Sequence, residues 1–403
     1  MKIRSILTTA AMALAAATSC GAKLPKYTNP TPGEFPILGW YSIPDSASTP
    51  ERYSEMREAG FNLSFSHLYS EAQLERALKA AEGSGVKLVL SVGMTGNPGE
   101  VVIHLKDHPQ TGAWFLRDEP SVSDFADLAA MRDRVYEADS THLVYLNLFP
   151  MWVDMDALGA QSYDDYVQRF IDAIRLPMVS YDLYPVHTDG EGKTVLSPGL
   201  FQNLETISKM SRDNGCPFWA FCLSTAHTPY PIPRDSHIRV EAFSALAYGA
   251  QCIQYFTYWE PVTTTWNFHN SPIDQTGQRT DVYYLIRDIN REIQALAPIF
   301  LGCEVYDVSH TGDVTPPDTK PLATLPAPFT SLMASGEGVL VSHLKGGDGN
   351  EYLMVVNRDI DHAQRVDTAF KGAVRMVNPD GSLRHATESE YVRPGGYLLY
   401  RLS

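Results

Sequence analysis

Three acidic residues stand where apolar stretches of the sequence end. Glu119 closes WFLRDE, Asp182 lies in VSYDLYP, and Glu260 follows CIQYFTYW. A carboxyl group can donate a proton, accept one or act as a nucleophile, and cleavage reactions often need two carboxyl groups in different roles. The fold must therefore bring at least two of these acids together for such chemistry to occur.

Aromatic and polar residues cluster at the ends of the same apolar stretches. They are Trp40, Tyr41, His67, Tyr69, Arg117, Asn147, Tyr184 and Trp259. Flat aromatic rings stack on the C–H face of a pyranose, while imidazole, amide and guanidinium groups hydrogen-bond its hydroxyls. The mixture predicts a carbohydrate site to which these eight residues contribute substrate contacts, with an oligosaccharide or polysaccharide as the bound partner.

The stretches that carry these residues alternate with amphipathic ones from residue 35 to residue 298. The former are nearly continuous in apolar residues, which is typical of parallel strands covered on both sides. The latter have helical spacing, as in Leu74, Leu78 and Ala81. Eight such pairs predict an α/β fold, a closed (β/α)8 TIM barrel, in which the C-terminal strand ends form one mouth.

Side-chain alternation along a strand predicts which of the charged residues face that mouth. If Glu119 points into the mouth, Arg117 shares its face and Asp118 points toward the helices.

The sequence changes character after Pro298. Short stretches of alternating residues are separated by Gly, Asp and Asn turns, and no helical spacing remains. Residues 299–403 are therefore predicted to form a small all-β antiparallel sandwich packed on the barrel.

The N-terminal segment resembles a bacterial lipoprotein signal. Lys2 and Arg4 precede an apolar stretch at residues 6–17, and small residues then lead to Cys20. We expect residues 1–20 to be the signal with Cys20 as the lipidation site, and residues 21–34 to be a tether. The expected location is the cell envelope, lipid-anchored in the outer membrane on its periplasmic or surface side.

Composition limits the remaining partners. The formal charge is −15 and no stretch is rich in Lys and Arg, which argues against nucleic acid. Cys216, Cys222, Cys252 and Cys303 lack metal-site spacing. We expect buried thiols, with a Cys216–Cys252 disulfide left open, and neither a metal nor a cofactor.

Three stretches, FLRDEP, YDLYP and RVEAFSALAYGAQCIQYFTYW, resemble the barrel of clan A glycoside hydrolases. The nearest likeness is to the family 42 β-galactosidase group and its uncharacterised gut-bacterial relatives, over residues 35–300. The resemblance implies that Glu119 is the general acid/base and that Trp259 forms the floor of a sugar subsite. Asp118 stands where these enzymes usually have Asn.

The seventh predicted strand departs from that clan, whose nucleophile is a Glu at its end. Here PFWAFCLSTAH contains no carboxylate, and Cys222 stands near the expected place. Glycosidic cleavage requires an acid and a second carboxylate. We therefore predict Asp182 as base or nucleophile beside Glu119, with Glu260 as the reserve.

These observations favour a glycoside hydrolase that cleaves a neutral or weakly charged glycan by a two-carboxylate mechanism. Two alternatives stay open. One is a non-catalytic glycan-binding lipoprotein on a degenerate glycosidase barrel, and the other is a different carbohydrate-active enzyme such as a lyase.

Overall fold

The computed structural model describes residues 23–402. The predicted signal at residues 1–20, with Cys20, lies outside these residues. Within them, no helix is both long enough and apolar enough to cross a membrane.

The N-terminal part of the structure contains ten strands. In chain order they are β1 (Ile37–Trp40), β2 (Leu63–Phe65), β3 (Lys87–Leu90), β4 (Thr111–Asp118), β5 (Leu143–Asn147), β6 (Val179–Tyr181), β7 (Val186–Thr188), β8 (Thr194–Leu196), β9 (Phe218–Leu223) and β10 (Ile253–Phe256). Strands β7 and β8 form an antiparallel hairpin in the loop after β6. The other eight belong to one parallel sheet.

That sheet is the barrel. Its strands neighbour one another in the order β5, β4, β3, β2, β1, β10, β9, β6. The backbone N–H of Leu148, just after β5, donates to the carbonyl oxygen of Ser180 in β6 at 2.8 Å, and Leu148 forms a parallel bridge with Tyr181. These contacts join the two ends of the sheet, so the predicted (β/α)8 barrel is confirmed.

Helices separate the strands as the alternating pattern predicts. They are α1 (Pro50–Glu58), α2 (Glu71–Ala81), α3 (Pro98–Leu105), α4 (Phe125–Ala138), α5 (Met155–Leu158), α6 (Tyr163–Ile174), α7 (Gly199–Asn214), α8 (Asp235–Ala247), α9 (Asp281–Ala295) and α10 (Ala297–Phe300). Leu74, Leu78 and Ala81 form a buried face of α2, as their spacing predicts.

Two apolar layers surround the barrel strands. The inner layer fills the barrel with large side chains such as Phe65, Phe115, Tyr145 and Trp219. The outer layer lies between the strands and the helices and contains Cys222. The interior is therefore packed with side chains, which leaves the strand ends as the place for chemistry.

The C-terminal part is all-β. Its strands are β11 (Glu304–His310), β12 (Phe329–Ala334), β13 (Val339–Lys345), β14 (Glu351–Asn357), β15 (Gln364–Phe370), β16 (Arg375–Val377), β17 (Leu383–His385), β18 (Ser389–Val392) and β19 (Tyr397–Arg401). Six form one antiparallel sheet and three form another, with a separate apolar cluster of residues from both sheets. The predicted sandwich is confirmed.

Buried polar contacts attach the sandwich to the barrel. The hydroxyl of Ser342 donates to the carbonyl oxygen of Ala247 at 2.7 Å, and the hydroxyl of Tyr397 donates to Glu292 Oε1 at 2.8 Å. Glu292 also accepts from Arg239 Nη2 at 2.7 Å. All four cysteines among the described residues are free thiols, so no Cys216–Cys252 disulfide is formed.

Candidate active site

The end of β4 has a bulge that decides which residues face the mouth. The pairing of β4 with β5 shifts by one residue between Phe115 and Asp118, so that Asp118 lies opposite Asn147. Arg117 is instead exposed and pairs with Asp124 at 3.5 Å. The prediction that Arg117 faces the mouth while Asp118 faces the helices is therefore wrong, because the extra residue reverses the alternation.

Glu119 follows the bulge in an uncommon backbone conformation. Its φ is 45°, in the left-handed region that costs a residue with a side chain roughly 1–3 kcal/mol. Its N–H donates to the carbonyl oxygen of Asn147 at 2.8 Å. On the other side of β4, a Cβ added to Gly93 would lie 1.7 Å from the Leu116 carbonyl oxygen, so glycine is needed for this close approach. The surrounding backbone thus fixes the direction of Glu119.

Three carboxyl groups meet at this point. Glu119 and Asp182 are hydrogen-bonded to each other through their carboxyl groups. Asn147 Nδ2 donates to Asp182 Oδ1 at 2.9 Å and to Asp118 Oδ1 at 3.3 Å. The hydroxyl of Tyr184 lies near the Asp182 carboxyl and lowers its pKa. The structure therefore brings together four predicted site residues and adds Asp118.

Burial and mutual repulsion change the proton affinities of these acids. Burial, and then the charge of Asp182, raise the pKa of Asp118 to about 7. The pKa of Glu119 is raised by burial and by the charges of Asp182 and Asp118. Burial also raises the pKa of Asp182, although the Asn147 hydrogen bond opposes the change. Two carboxyl groups in contact share one proton more readily than they carry two charges, and the pKa of Glu119, raised to about 9, makes Glu119 the stronger proton holder of the pair.

A buried chain of hydrogen bonds orients Asn147. The hydroxyl of Ser180 donates to Asn147 Oδ1 at 2.8 Å, so the NH2 of Asn147 must face the two aspartates. Gln254 Nε2 donates to the Ser180 hydroxyl at 2.9 Å, and Tyr145 donates to Gln254 Oε1 at 2.6 Å. Sequence reasoning missed Gln254 and Tyr145, although a Gln within the apolar stretch CIQYF was a signal.

Aromatic rings form the wall beside the acids. Tyr184 stacks on Phe256 with ring centroids 5.6 Å apart and packs edge-on against Tyr230 at 5.9 Å. His67 lies 5.5 Å from the Tyr41 ring and 5.1 Å from the Trp40 ring, and burial lowers the pKa of its imidazole. His67 is thus neutral near pH 7 and can hydrogen-bond a hydroxyl.

Two tryptophans do not lie where a sugar contact was expected, whereas the Tyr69 ring is 64% exposed and remains open to a ligand. Trp40 is 4% exposed and belongs to the barrel interior below the mouth. Trp259 is 7% exposed and packs in the outer layer, with the Arg52 guanidinium 5.2 Å from its ring. The half-buried Phe256 is the aromatic residue of the eighth barrel strand that borders the inner layer.

Glu260 is not brought into the acid cluster. Its half-buried carboxylate accepts hydrogen bonds from the backbone of Ser271 and Asn270 in the following loop. Burial raises its pKa, and the charges that act on it are those of Asp274 and His269 rather than those of the acid cluster. These contacts suit a residue that orders its loop.

The seventh barrel strand, β9, brings no acid to the mouth within residues 23–402. Cys222 is fully buried in the outer layer, where burial raises the pKa of its thiol, so it does not replace the clan's Glu. The N–H of Leu223 donates to Glu241 Oε2 of α8 at 2.7 Å, and the Ser224 hydroxyl donates to the Thr257 carbonyl oxygen at 2.8 Å.

One family model matches part of the chain. A family model described as Beta-galactosidase, of glycoside hydrolase family 42, matches residues 152–296. The resemblance to family 42 is confirmed. The match runs from just after β5 to the end of α9 and so includes Asp182 but not Glu119. It supports a glycosidase. No curated protein matches the sequence.

Solved structures agree with the fold. A family 42 β-galactosidase from G. stearothermophilus is 8% identical, with a TM-score of 0.60 over 94% of this chain and 99% of that one. The β-galactosidase from Bacillus circulans sp. alkalophilus is 10% identical, with a TM-score of 0.57 over 92% and 99%. Against the enzyme from Marinomonas ef1, at 11% identity and TM-score 0.47, the alignment covers 65% of this chain but only 60% of that one.

Proposed function

We propose that this protein hydrolyses a glycosidic bond in a neutral or weakly charged glycan, with Glu119 and Asp182 as the two catalytic carboxyl groups. The observation that carries the proposal is the contact between these two carboxyl groups at the mouth of the barrel, where burial and the charge of Asp182 raise the pKa of Glu119. Glycosidic cleavage needs one carboxylic acid and one carboxylate at the same time.

The roles follow from the proton affinities. Glu119 donates its proton to the leaving oxygen as the C–O bond breaks. The negative charge of the Asp182 carboxylate stabilises the developing oxocarbenium ion. In retaining enzymes the two groups lie ~5–5.5 Å apart, and in inverting enzymes ~6.5–9.5 Å apart. Carboxyl groups in hydrogen-bond contact are nearer the retaining distance, which favours Asp182 as the nucleophile.

The two steps of such a reaction balance without a further reactant. Asp182 attacks the anomeric carbon while Glu119 gives its proton to the departing alcohol. Water then attacks the same carbon, Glu119 takes one proton from that water, and Asp182 leaves. Each site carboxyl returns to its starting protonation state.

Neighbouring groups are suited to bind the sugar. Asn147 stabilises the Asp182 carboxylate through its N–H donor, and the nearby Tyr184 hydroxyl lowers the pKa of Asp182. Asp118, whose pKa is about 7, can present an O–H donor as an amide presents its N–H. We propose that Asp118 takes over the sugar-orienting role of the Asn that usually stands there in clan A.

The alternative of a glycan-binding protein without turnover is favoured by the absence of the clan's Glu from the stretch PFWAFCLSTAH. A uronate lyase is disfavoured, because Arg117 pairs with Asp124 outside the acid cluster and the site itself is acidic.

Release of reducing sugar from a panel of neutral oligosaccharides separates hydrolysis from binding. Glu119→Gln should lose turnover by roughly 10²–10⁴-fold, the usual contribution of an acid/base group. Glu260→Gln, the matched control, should stay near wild type. Equal binding by wild type and Glu119→Gln, with no turnover by either, would favour the binding protein, and an ultraviolet-absorbing double bond in the product would indicate a lyase.

We also propose that the protein is lipid-anchored in the cell envelope through Cys20. The support is the sequence pattern of residues 1–20 alone. Metabolic labelling with an alkyne fatty acid should mark the wild type and not Cys20→Ser. Labelling of both proteins would contradict the anchor.

A further inference from the structure

A groove of about 460 Å³ is lined in part by Leu183 and Tyr184, the two residues that directly follow Asp182. Its lining includes Trp152, Tyr184 and Tyr230, which follow β5, β6 and β9. Their loops leave the C-terminal ends of the barrel strands, the face that carries the acids. The volume lies within the ~300–1,000 Å³ range of small-molecule sites.

Tyr184 joins the groove to the acid cluster. Tyr184 follows Asp182 by two residues, its hydroxyl lowers the pKa of that carboxyl group, and its side chain belongs to the groove lining. The ring is held in place by Phe256 on one face and by Tyr230 at its edge. A glycan chain whose scissile bond lies at Asp182 can therefore continue past Tyr184 into the groove.

Trp152 gives the groove an exposed aromatic surface. The Trp152 side chain is 68% exposed, an unusual state for the largest apolar residue type. Its loop is nevertheless fixed, because the N–H of the preceding Met151 donates to Oδ1 of the buried Asn203 in α7 at 2.9 Å. A ring that is exposed on a fixed loop is suited to stacking against a pyranose.

The chemistry of the lining selects a neutral ligand. Among the described residues that line the groove there is no Asp, Glu, Lys or Arg. His187 Nδ1 lies 3.2 Å from the carbonyl oxygen of Pro185, so it donates there and leaves Nε2 as an acceptor for a hydroxyl. A uronate or a sulfated sugar would find no cation in the groove to pair with its charge.

We propose that this groove binds a second sugar unit of the substrate, and that the protein acts on neutral oligosaccharides rather than on a single sugar with a small leaving group. The proposal rests on the proposed hydrolase function, since it extends the same site. Trp152 is the stacking surface, His187 supplies a hydrogen-bond acceptor, and Tyr184 marks the boundary with the catalytic position.

The test compares two substrates of the same reacting sugar, a glycosyl fluoride and a neutral oligosaccharide of three or more units. The fluoride occupies only the catalytic position, whereas the oligosaccharide also reaches the groove. Trp152→Ala should raise KM for the oligosaccharide roughly 3- to 10-fold, the loss of one aromatic stacking contact, and leave kcat/KM for the fluoride unchanged. Tyr391→Ala, which removes a 73% exposed ring from the C-terminal sandwich, is the matched control and should change neither value.

Binding measurements separate the groove from the hydrolase function. In the Glu119→Gln background, calorimetry with gluco-, galacto-, manno- and xylo-oligosaccharides of two to six units should show binding that Trp152→Ala weakens. If the protein binds these oligosaccharides but never hydrolyses them, the hydrolase proposal is wrong and the groove proposal is supported. If Trp152→Ala hydrolyses both substrates as efficiently as wild type, the groove proposal is wrong and the hydrolase proposal is supported.

Three further outcomes would also overturn the groove proposal. They are no binding by any member of the neutral panel, tighter binding of a uronate oligosaccharide than of its neutral counterpart, and dissociation of an oligomer by Trp152→Ala in light scattering. The last outcome would assign the exposed ring to contact between copies of the chain.

Discussion

Asn147 donates to Asp182 at 2.9 Å and to Asp118 at 3.3 Å through the same amide nitrogen. One side chain thus links the acids of two barrel strands that are not adjacent in sequence. Because its oxygen accepts from Ser180, the amide cannot turn over without losing that hydrogen bond. The geometry of the acid cluster therefore depends on buried groups beneath it as much as on the acids themselves.

Asp118→Asn should keep hydrolytic activity but change its pH dependence. The variant retains an acceptor for Asn147 and removes the negative charge that Asp118 carries above a pH of about 7. Loss of that charge lowers the pKa of Glu119, so the proton of the catalytic acid is lost at lower pH. The alkaline limb of the kcat/KM profile should move to lower pH, and a limb that stays in place or moves upward would contradict the coupling.

Glu119→Gln should be more stable than wild type at alkaline pH. The pKa of Glu119 is raised in the folded protein, so the folded state binds the proton more tightly than the unfolded state. The stability contributed by that proton is complete below the unfolded pKa of ~4.3 and is lost as pH rises toward the folded pKa. Gln keeps an N–H donor toward Asp182 and carries no titrating proton.

The measurement is Tm as a function of pH for both proteins. The difference in Tm, variant minus wild type, should grow between pH 5 and pH 9, by roughly 1 °C for each 1 kcal/mol in a chain of this length. A difference that does not depend on pH, or a variant that is less stable at pH 9, would mean that Glu119 is not held protonated by its surroundings.

Ser180→Ala tests whether the buried hydrogen-bond chain positions the site. Removal of the hydroxyl leaves Asn147 Oδ1 without its donor and costs about 1–3 kcal/mol of stability. A merely structural role would lower Tm and nothing else. A positioning role also lowers kcat at saturating substrate and shifts the pH profile, because the amide of Asn147 no longer stabilises the Asp182 carboxylate.

Phe256→Ala and Trp259→Ala should have different effects. Phe256 stacks on Tyr184 and is half-buried at the mouth, so its removal should raise KM with a small change in Tm. Trp259 is 7% exposed in the outer layer, and its removal should cost about 3–5 kcal/mol of stability. A large rise in KM with an unchanged Tm for Trp259→Ala would restore Trp259 as the sugar platform.

The barrel could be predicted from the sequence because the pattern of an apolar strand followed by an amphipathic helix repeats eight times. Parallel strands and amphipathic helices leave patterns that no single irregular residue can hide, and strand ends such as those at Glu119 and Asp182 must share one mouth. The placement of Asp118 and Arg117 could not be predicted. A one-residue bulge changes the facing of every residue after it, and nothing in WFLRDEPS marks where the extra residue enters.

The aromatic residues show the same limit. Trp259 and Phe256 are three residues apart, and both end an apolar stretch, so alternation alone does not decide which borders the mouth. The packing of Arg52 over Trp259 involves α1, which is distant in sequence. Only contacts between distant elements distinguish a platform from a core residue.

The most direct test of the acid pair is the reaction of Asp182→Asn with and without sodium azide. If Asp182 is the nucleophile, the variant should lose turnover, and azide should restore sugar release as a glycosyl azide of inverted anomeric configuration. If Asp182→Asn hydrolyses the substrate of the wild-type protein at an unchanged rate, the pairing of Glu119 with Asp182 is not the catalytic arrangement.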